Sequence, residues 1–316
     1  TLAIQKSAIS EGAIVLVDEI EHGLEPHRII GAIAQLKADQ DGSVAAGRPV
    51  GQVLMTTHSD VAIGETGPER LRVVQMTRPG RQGAVLAPTA PDSIRALMRF
   101  TPRALFARRI LVTEGNTEIG MLLGIREHWP ARHAGKPIEQ LGVAIADGNG
   151  AQAPAMALAL HELGYETAIF RDSDTSLSPA EQTSLAAAGI QVFEYGGDLN
   201  TEQAIFSVAS DELVQELLNF AREERGDDAI DNNIDIKLPD LTLAVIRETF
   251  SAWELFSKLE GLQLREAIAE VAVRKKWFKD QRIGRGLSSM VWRIAEAAPG
   301  SSLATALHQA EAWLYA

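Results

Sequence analysis

Six carboxylates in the middle of the chain fall where apolar runs end. RILVTE closes on Glu114, GVAIAD on Asp147, and TAIFRDSD on Asp172 and Asp174, while IQVFEY leads into GGDLNTEQAIF with Glu202. Glu118 follows in EGNTE, one helical turn beyond Glu114 if a helix opens near Asn116 or Thr117, so both can point at one spot. Any one of these acids could cap a helix or line a solvated edge, and DGNG after Ala146 equally reads as a plain turn. Glu114 and the DSD motif together argue for a site. Nothing in the sequence neutralises so many acids in one crevice, and like charges at close range repel or raise one another's pKa unless a cation sits among them. Oxygen-only ligands, with Ser173 as a further candidate, favour Mg²⁺ or Mn²⁺ over zinc. Two such ions roughly 3.5 to 4 Å apart can activate a water and stabilise a leaving oxygen in phosphodiester hydrolysis.

A sheet must carry these acids to one edge. AIVLVDE (13–19), QVLMTTH (52–58), RLRVVQM (70–76), RILVTE (109–114), GVAIAD (142–147), TAIFRDSD (167–174) and IQVFEY (190–195) read as short strands, several apolar on both faces. Helical stretches lie between them at 27–39, 117–129, 153–163 and 179–188. This alternation predicts an α/β fold with a mostly parallel sheet flanked by helices, ligands lying beyond the strand ends, and Asp172 and Asp174 on one side if their strand continues. From 208 onward helical periodicity dominates, with a polar, acidic linker near 225–235. RPGRQGAVLAPTAPDS (78–93) reads as a domain boundary.

Composition narrows the chemistry. The 316 residues contain no cysteine, which excludes disulfides, a cysteine zinc ribbon and a thiol nucleophile, and fits a cytoplasmic address. No apolar run spans a bilayer and no signal peptide opens the chain. It starts at Thr1 rather than Met, as a fragment of something longer would. A net charge of −12 argues against a simple nucleic-acid binder, but the charge is uneven. Acids dominate 194–235, opposed by Arg222 and Arg225. From Arg274 to Arg293, Arg274, Lys275, Lys276, Lys279, Arg282, Arg285 and Arg293 face only Asp280. A second basic cluster runs through Arg95, Arg99, Arg103, Arg108 and Arg109. On a helix Lys275, Lys276 and Lys279 would share a flank with Trp277 and Phe278 packing beneath. This is either plain amphipathic core or a lysine, Lys276 before Lys279, held near a scissile phosphate.

IVLVDEIEHGLEP with the later VLMTTHS resembles the Walker B strand and switch histidine of ABC-type ATPases. The resemblance implies that Asp18 holds a Mg²⁺ water shell, Glu19 activates water and His58 senses the γ-phosphate. No GxxxxGK[ST] loop is present, so ATP hydrolysis is not expected from this chain alone, and ATP belongs to a longer chain carrying that loop.

EGNTE and DSD resemble the two signature elements of the TOPRIM fold of topoisomerases, bacterial primases and certain nucleases. Tyr165, Tyr195 and Tyr315 have no convincing nucleophile setting and a primase's zinc ribbon is lacking, which favours a nuclease. An ATPase tail, a TOPRIM core and a KKWFK-like element resemble the OLD (overcoming lysogenization defect) family, to which the nuclease of the Gabija anti-phage system belongs. The resemblance implies a divalent-metal-dependent DNA endonuclease of phage defence, with ATP regulatory. It implies an ATPase part over 1–78, a linker over 79–104, the TOPRIM core over 105–207, a helical insertion over 208–268 and the basic, lysine-bearing C-terminal helices over 269–316. By the same resemblance Glu114, Glu118, Asp172, Asp174 and Glu202 are metal ligands, with Asp147 and Ser173 further candidates. Glu114 and Lys276 act in catalysis, and Lys275, Lys276, Lys279, Arg282 and Arg285 contact DNA. Dimerisation and, in part of the family, a helicase partner follow by analogy. The rival readings are an RNA-processing TOPRIM hydrolase and a non-catalytic nucleic-acid-binding module; parallel DNA and RNA assays, and metal-independent binding without cleavage, separate them.

Overall fold

A computed structural model describes residues 12–77 and 82–316, which divide into two compact units, the first running to Phe106 and including Glu162–Gly164, the second formed by Ala107–His161 and Tyr165–Ala316. Residues 78–81 of the boundary segment named above lie outside the described residues, as does the start of the ATPase-like part.

In the first unit, strand β1 (Ile14–Val17) pairs in parallel with β2 (Gln52–Met55), Val17 opposite Met55. The parallel pair requires a crossover, supplied by helix α1 (Pro26–Ala45), which has proline in its first turn where a missing N–H costs nothing. Ile29 and Ile33 of α1 pack on Ile20 and on Ala62 of helix α2 (Asp60–Glu65), whose amide at Ala62 is capped by the Ser59 hydroxyl. The sequence reading assigns 79–104 to a linker, but its described part is built into this unit. Strand β4 (Gln82–Leu86) pairs antiparallel with β3 (Val73–Thr77), and helix α3 (Arg95–Phe100) buries Leu97 and Met98. Backbone pairing of Val73–Thr77 with Gln82–Leu86, residue for residue, overrides the Pro/Gly-rich appearance.

The second unit is built on a four-stranded parallel sheet in the order β6-β5-β7-β8, formed by β5 (Arg109–Thr113), β6 (Val143–Asp147), β7 (Glu166–Arg171) and β8 (Gln191–Glu194). The mixed α/β class with a helical C-terminal part is the one expected. Residues 110–112 of β5 are wholly buried, as a central strand covered on both faces must be. Helices α4 (Asn116–Ile125), α5 (Ala153–Glu162) and α6 (Pro179–Ala187) connect the strands, and α7 (Thr201–Phe206) follows β8.

The remaining helices share one apolar core with this sheet: α8 (Asp211–Arg225), α9 (Asp227–Lys237), the single turns α10 (Leu243–Ile246) and α11 (Phe250–Trp253), α12 (Gly261–Arg274), α13 (Gln281–Ala297) and α14 (Ser302–Leu314). Two boundaries differ from the sequence reading. The supposed acidic linker at 225–235 is mostly helix α9, because Ile230 and Ile234, one turn apart, enter the core. Its Asp231 is buried between Arg222 at 3.0 Å and Arg247 at 2.8 Å, which offsets the charge that made the stretch look solvated. The boundary expected at 268/269 falls inside α12, so no separate insertion ends there.

Helices α4 and α13 approach through small residues. A Cβ on Gly120 would lie 2.1 Å from the Gln281 carbonyl oxygen, one on Gly284 2.6 Å from the Thr117 carbonyl oxygen, and one on Gly124 2.1 Å from the Ser288 hydroxyl. Gly120→Ala should therefore destabilise the protein by about 1–3 kcal/mol, against the roughly 1 kcal/mol that alanine gains over glycine in an open helix. A lowered urea midpoint at unchanged slope would show it, and a raised midpoint would mean that the helices part freely.

Candidate metal centre and nucleic-acid interface

The carboxylate edge forms because β5 is central. The Glu114 amide donates to the Phe170 carbonyl of β7 at 2.9 Å, and its carbonyl accepts from the Gly150 amide beyond β6 at 2.6 Å. Glu118 stands one turn on in α4, buried, its Oε1 accepting from the Thr201 hydroxyl at 2.7 Å. Thr201 and the buried Glu202 open α7, which is capped by Asn200 in a reciprocal box with Gln203. Asp172 and Asp174 do not extend a strand as expected, because β7 ends at Arg171 and both lie in the following turn. That turn is pinned by Ser173, whose hydroxyl accepts from the Leu199 amide at 2.9 Å and whose amide donates to the Leu199 carbonyl at 2.9 Å. The Ser173 oxygen is thus engaged in positioning. Asp147 also works locally, its Oδ1 accepting from the Asn149 amide at 2.9 Å, which makes DGNG the turn that was the alternative reading.

The site is acidic enough to disturb itself. Burial, then the charge of Glu114 and a hydrogen bond with Asp174, push Asp172 up to about 8. Glu114 is raised by burial, pulled back by Arg171, and raised again by Glu118 and Asp174. Burial also raises Glu202, with Glu118 and Asp174 adding to the shift and Lys279 opposing it. Two buried carboxylate oxygens, Glu114 Oε2 and Asp172 Oδ1, have no hydrogen-bond partner. Among the described residues, no set of three or more His, Asp or Glu side chains is drawn together tightly enough to enclose an ion. The unpartnered oxygens and the all-oxygen donor set nevertheless fit a hard divalent cation.

One expectation is overturned. A cation of the chain does stand among the acids: Arg171, buried, with Nε 3.2 Å from Glu114 Oε2 and Nη1 2.7 Å from Glu194 Oε2. Sequence reasoning passed over it as part of an apolar strand. An arginine immediately before a DxD motif, in a strand otherwise apolar at its end, was the available signal. Tyr195 was set aside as a nucleophile, and the structure buries it completely, with its pKa well above the usual value through burial and the charge of Glu118.

The basic segment also differs. Helix α12 ends at Arg274, and Lys276 adopts a left-handed φ of 54°, so the three lysines do not share a helical flank. Trp277 and Phe278 are core residues, Phe278 stacking between Phe206 and Phe220. The turn is tied to the start of α4 by the Thr117 hydroxyl, which donates to the Phe278 carbonyl at 3.2 Å. Arg225 donates to the carbonyls of Lys276 and Trp277, and Asp280 caps α13. Lys276 and Lys279 are both exposed, and the charge of Lys279 acts on Glu202, opposing its upward shift. Arg282, Arg285 and Arg293 are each paired with an acid, Glu224, Glu127 and Glu216, at 2.5 to 2.6 Å. The second basic cluster is divided between the units: Arg95 pairs with Asp92 and Arg103 with Asp60, whereas Arg109 packs on Trp313 and pairs with Glu166.

In the first unit, Asp18 and His58 lie beyond the ends of parallel neighbours. The Thr56 hydroxyl donates to Asp18 Oδ1 at 2.5 Å and accepts from the Glu19 amide at 2.8 Å. Glu21, not singled out from sequence, accepts from the His58 amide and the Thr57 hydroxyl at 2.5 and 2.7 Å. Burial would raise its carboxyl, but these bonds together hold it below the usual range.

A parallel sheet with carboxylates at its strand ends and a DxD turn defines the TOPRIM class. Residues 105–174 match the family model of the overcoming lysogenization defect protein-like TOPRIM domain, which takes in Glu114, Glu118, Asp172 and Asp174. Residues 1–64 match an AAA-domain model whose description names an AbiEii toxin of a type IV toxin–antitoxin system. Together the two match an OLD-family ATPase–TOPRIM fusion. No curated protein matches the chain. An OLD-like TOPRIM domain supports a nuclease-type function, and TOPRIM domains generally use divalent metal ions. None of the described helices is long and apolar enough to cross a membrane.

The raised carboxyls set the pH dependence of the metal-free protein. A group that holds its proton more tightly when folded stabilises the fold fully below its unfolded pKa, and that contribution is lost as pH rises through the folded value. For Asp172 the window runs from about 4 to about 8, and Glu114 and Glu202 shift in the same direction. In EDTA the melting temperature should fall from pH 5 to pH 8. Asp172→Asn should flatten that fall and add about 1–2 kcal/mol at pH 8. A melting temperature that rises over this interval, or an unchanged slope in the variant, would remove the site as its origin.

Proposed function

We propose that this chain is a divalent-metal-dependent DNA endonuclease acting through the carboxylates at the end of β5 and β7 and the opening of α7. What supports this reading is that Glu114, Glu118, Asp172, Asp174 and Glu202 lie near enough to one another to raise the carboxyls of Glu114, Asp172 and Glu202, with two buried oxygens that no donor satisfies and the charge of Lys279 acting on Glu202. In the proposal these five acids hold Mg²⁺ or Mn²⁺, while Ser173 and Asp147 support loops. Bound there, divalent ions would supply an activated water and charge stabilisation at a phosphodiester.

The residues of the chain have separable tasks. Glu114 is held through its backbone to β7 and to the turn after β6, which fixes where its side chain begins. Thr201 orients Glu118 by donating to its Oε1 and leaves Oε2 for a ligand. Lys279, held by the capped start of α13 and by the Thr117 bond to Phe278, is the lysine we assign to the phosphate, in place of Lys276. A positive charge fixed before reaction stabilises the charge that grows on the phosphate oxygens, at no cost of reorganisation. Lys275, Lys276 and Arg274 are exposed and form no salt bridge among the described residues, so they suit contact with the DNA backbone. Arg282 and Arg285 would first have to leave Glu224 and Glu127.

The test is incubation of the chain with supercoiled plasmid in Mg²⁺, Mn²⁺ or EDTA, with RNA of matched length in parallel. Nicked or linear DNA with metal, absent in EDTA and in Glu114→Ala, is the expected result. Lys279→Ala should slow cleavage by about 10²–10³-fold, as loss of a preorganised charge does. Lys276→Ala should stay within about threefold, as loss of one backbone contact allows. Intact DNA with cleaved RNA would redirect the assignment. Intact substrate throughout, with native circular dichroism, would sink it.

A further inference from the structure

Arg171 is the one feature of the carboxylate edge that metal-dependent hydrolysis does not require. Its guanidinium spans three elements: Glu114 at the end of β5, Glu194 at the end of β8, and the Thr175 carbonyl in the turn that carries Asp172 and Asp174. Its two carboxylate partners are not equivalent. Toward Glu194 it makes a hydrogen bond of 2.7 Å. Toward Glu114 it makes a longer ion pair, 3.2 Å from Nε to Oε2, whose charge pulls that carboxyl back toward its ionised form. The looser grip falls on the acid proposed as a metal ligand. The tighter one falls on Glu194, which lies outside the proposed ligand set and is 44% exposed.

We propose that Arg171 is a resident counter-cation that holds Glu114 while no metal is bound and yields it to a divalent ion, remaining anchored on Glu194 and the Thr175 carbonyl. The inference rests on the metal-ligand reading of Glu114. Two cations cannot share one small carboxylate without repelling each other, so the guanidinium and the metal compete for Glu114. Glu194 lowers the cost of that exchange because the guanidinium keeps a charged partner and stays buried without leaving a bare charge. Arg171 is therefore a positioning residue. It sets the metal affinity of the site and keeps the turn with Asp172 and Asp174 closed against β5 and β8 before metal arrives.

The two partners predict effects of opposite sign. Arg171→Gln removes the competitor, so the full chain should bind Mn²⁺ about tenfold more tightly by calorimetry and melt at lower temperature in EDTA. Glu194→Gln removes the alternative partner, so Mn²⁺ should bind about threefold or more weakly. Because Glu194 acts only through the guanidinium, Glu194→Gln should have no effect in an Arg171→Gln background. An Arg171→Gln protein with native far-UV circular dichroism and equal or weaker Mn²⁺ affinity would overturn the proposal, as a simple structural prop would give. A Glu194→Gln effect that persists in the double variant would overturn it too, as plain long-range charge would give. If Arg171→Gln does not fold, Glu194→Gln decides alone, and an unchanged affinity rejects the exchange. Wild-type chain without any Mn²⁺ binding that Glu114→Ala abolishes would reject the metal-ligand reading itself, whereas the other negative outcomes leave that reading standing.

Discussion

The close approach of α4 to α13 is the constraint on which the site depends. Gly120 and Gly124 on one helix meet Gly284 and Ser288 on the other at distances that leave no room for a Cβ at the glycines. The consequence reaches both ends of the contact. Glu118 lies two residues before Gly120, and Lys279 and Asp280 lie immediately before α13. Any spreading of the two helices would separate the lysine from the carboxylates. The Thr117 hydroxyl on the Phe278 carbonyl locks the same register from its N-terminal end, and Trp277 and Phe278 anchor the turn in the core. A long C-terminal helical region is thereby packed against the sheet's carboxylate edge.

Packing of this quality allows charges to be placed where water would otherwise keep them apart. Burying a carboxylate favours its neutral form, and each further acid nearby adds to that preference. The fold tolerates the arrangement because the charge is divided among unlike partners. Arg171 faces Glu114, the charge of Lys279 acts on Glu202, Thr201 donates to Glu118, and burial pushes Asp172 toward its neutral form. Removing protons at higher pH, without adding cations, sets these groups against one another. The site is stable by compensation, and its unpartnered oxygens mark where compensation is incomplete.

Much of this was legible in the sequence because strand-end acids and apolar strands are local signals. EGNTE and DSD fixed the edge and the class, and the parallel order follows from the α/β alternation. What stayed hidden was non-local. The shared flank expected for Lys275, Lys276 and Lys279 assumed a helix, but α12 stops at Arg274 and a left-handed residue turns the chain. Charge at 225–235 suggested a linker, since the arginines that bury Asp231 come from two other segments. Arg171 was invisible as a partner of Glu114 because strand pairing, not spacing, brings β5 beside β7.

The two units solve the same problem in the same way. In each, acids stand beyond the C-terminal ends of parallel strands, where an open α/β sheet offers its crevice. In each, a neighbouring segment supplies a threonine that fixes an acid: Thr56 donates to Asp18 and Thr201 to Glu118. A hydroxyl serves well here because it satisfies one carboxylate oxygen without adding charge, leaving the other free for a cation or water. The threonine also reports strand register, since Thr56 simultaneously accepts from the Glu19 amide. A one-residue slip of β2 would break both bonds and turn His58 away from Glu21. Asp18 and Glu114 are thus held by strand pairing, and Glu118 by contact between two helices that the sheet carries, so their placement is a property of the fold and not of flexible side chains alone.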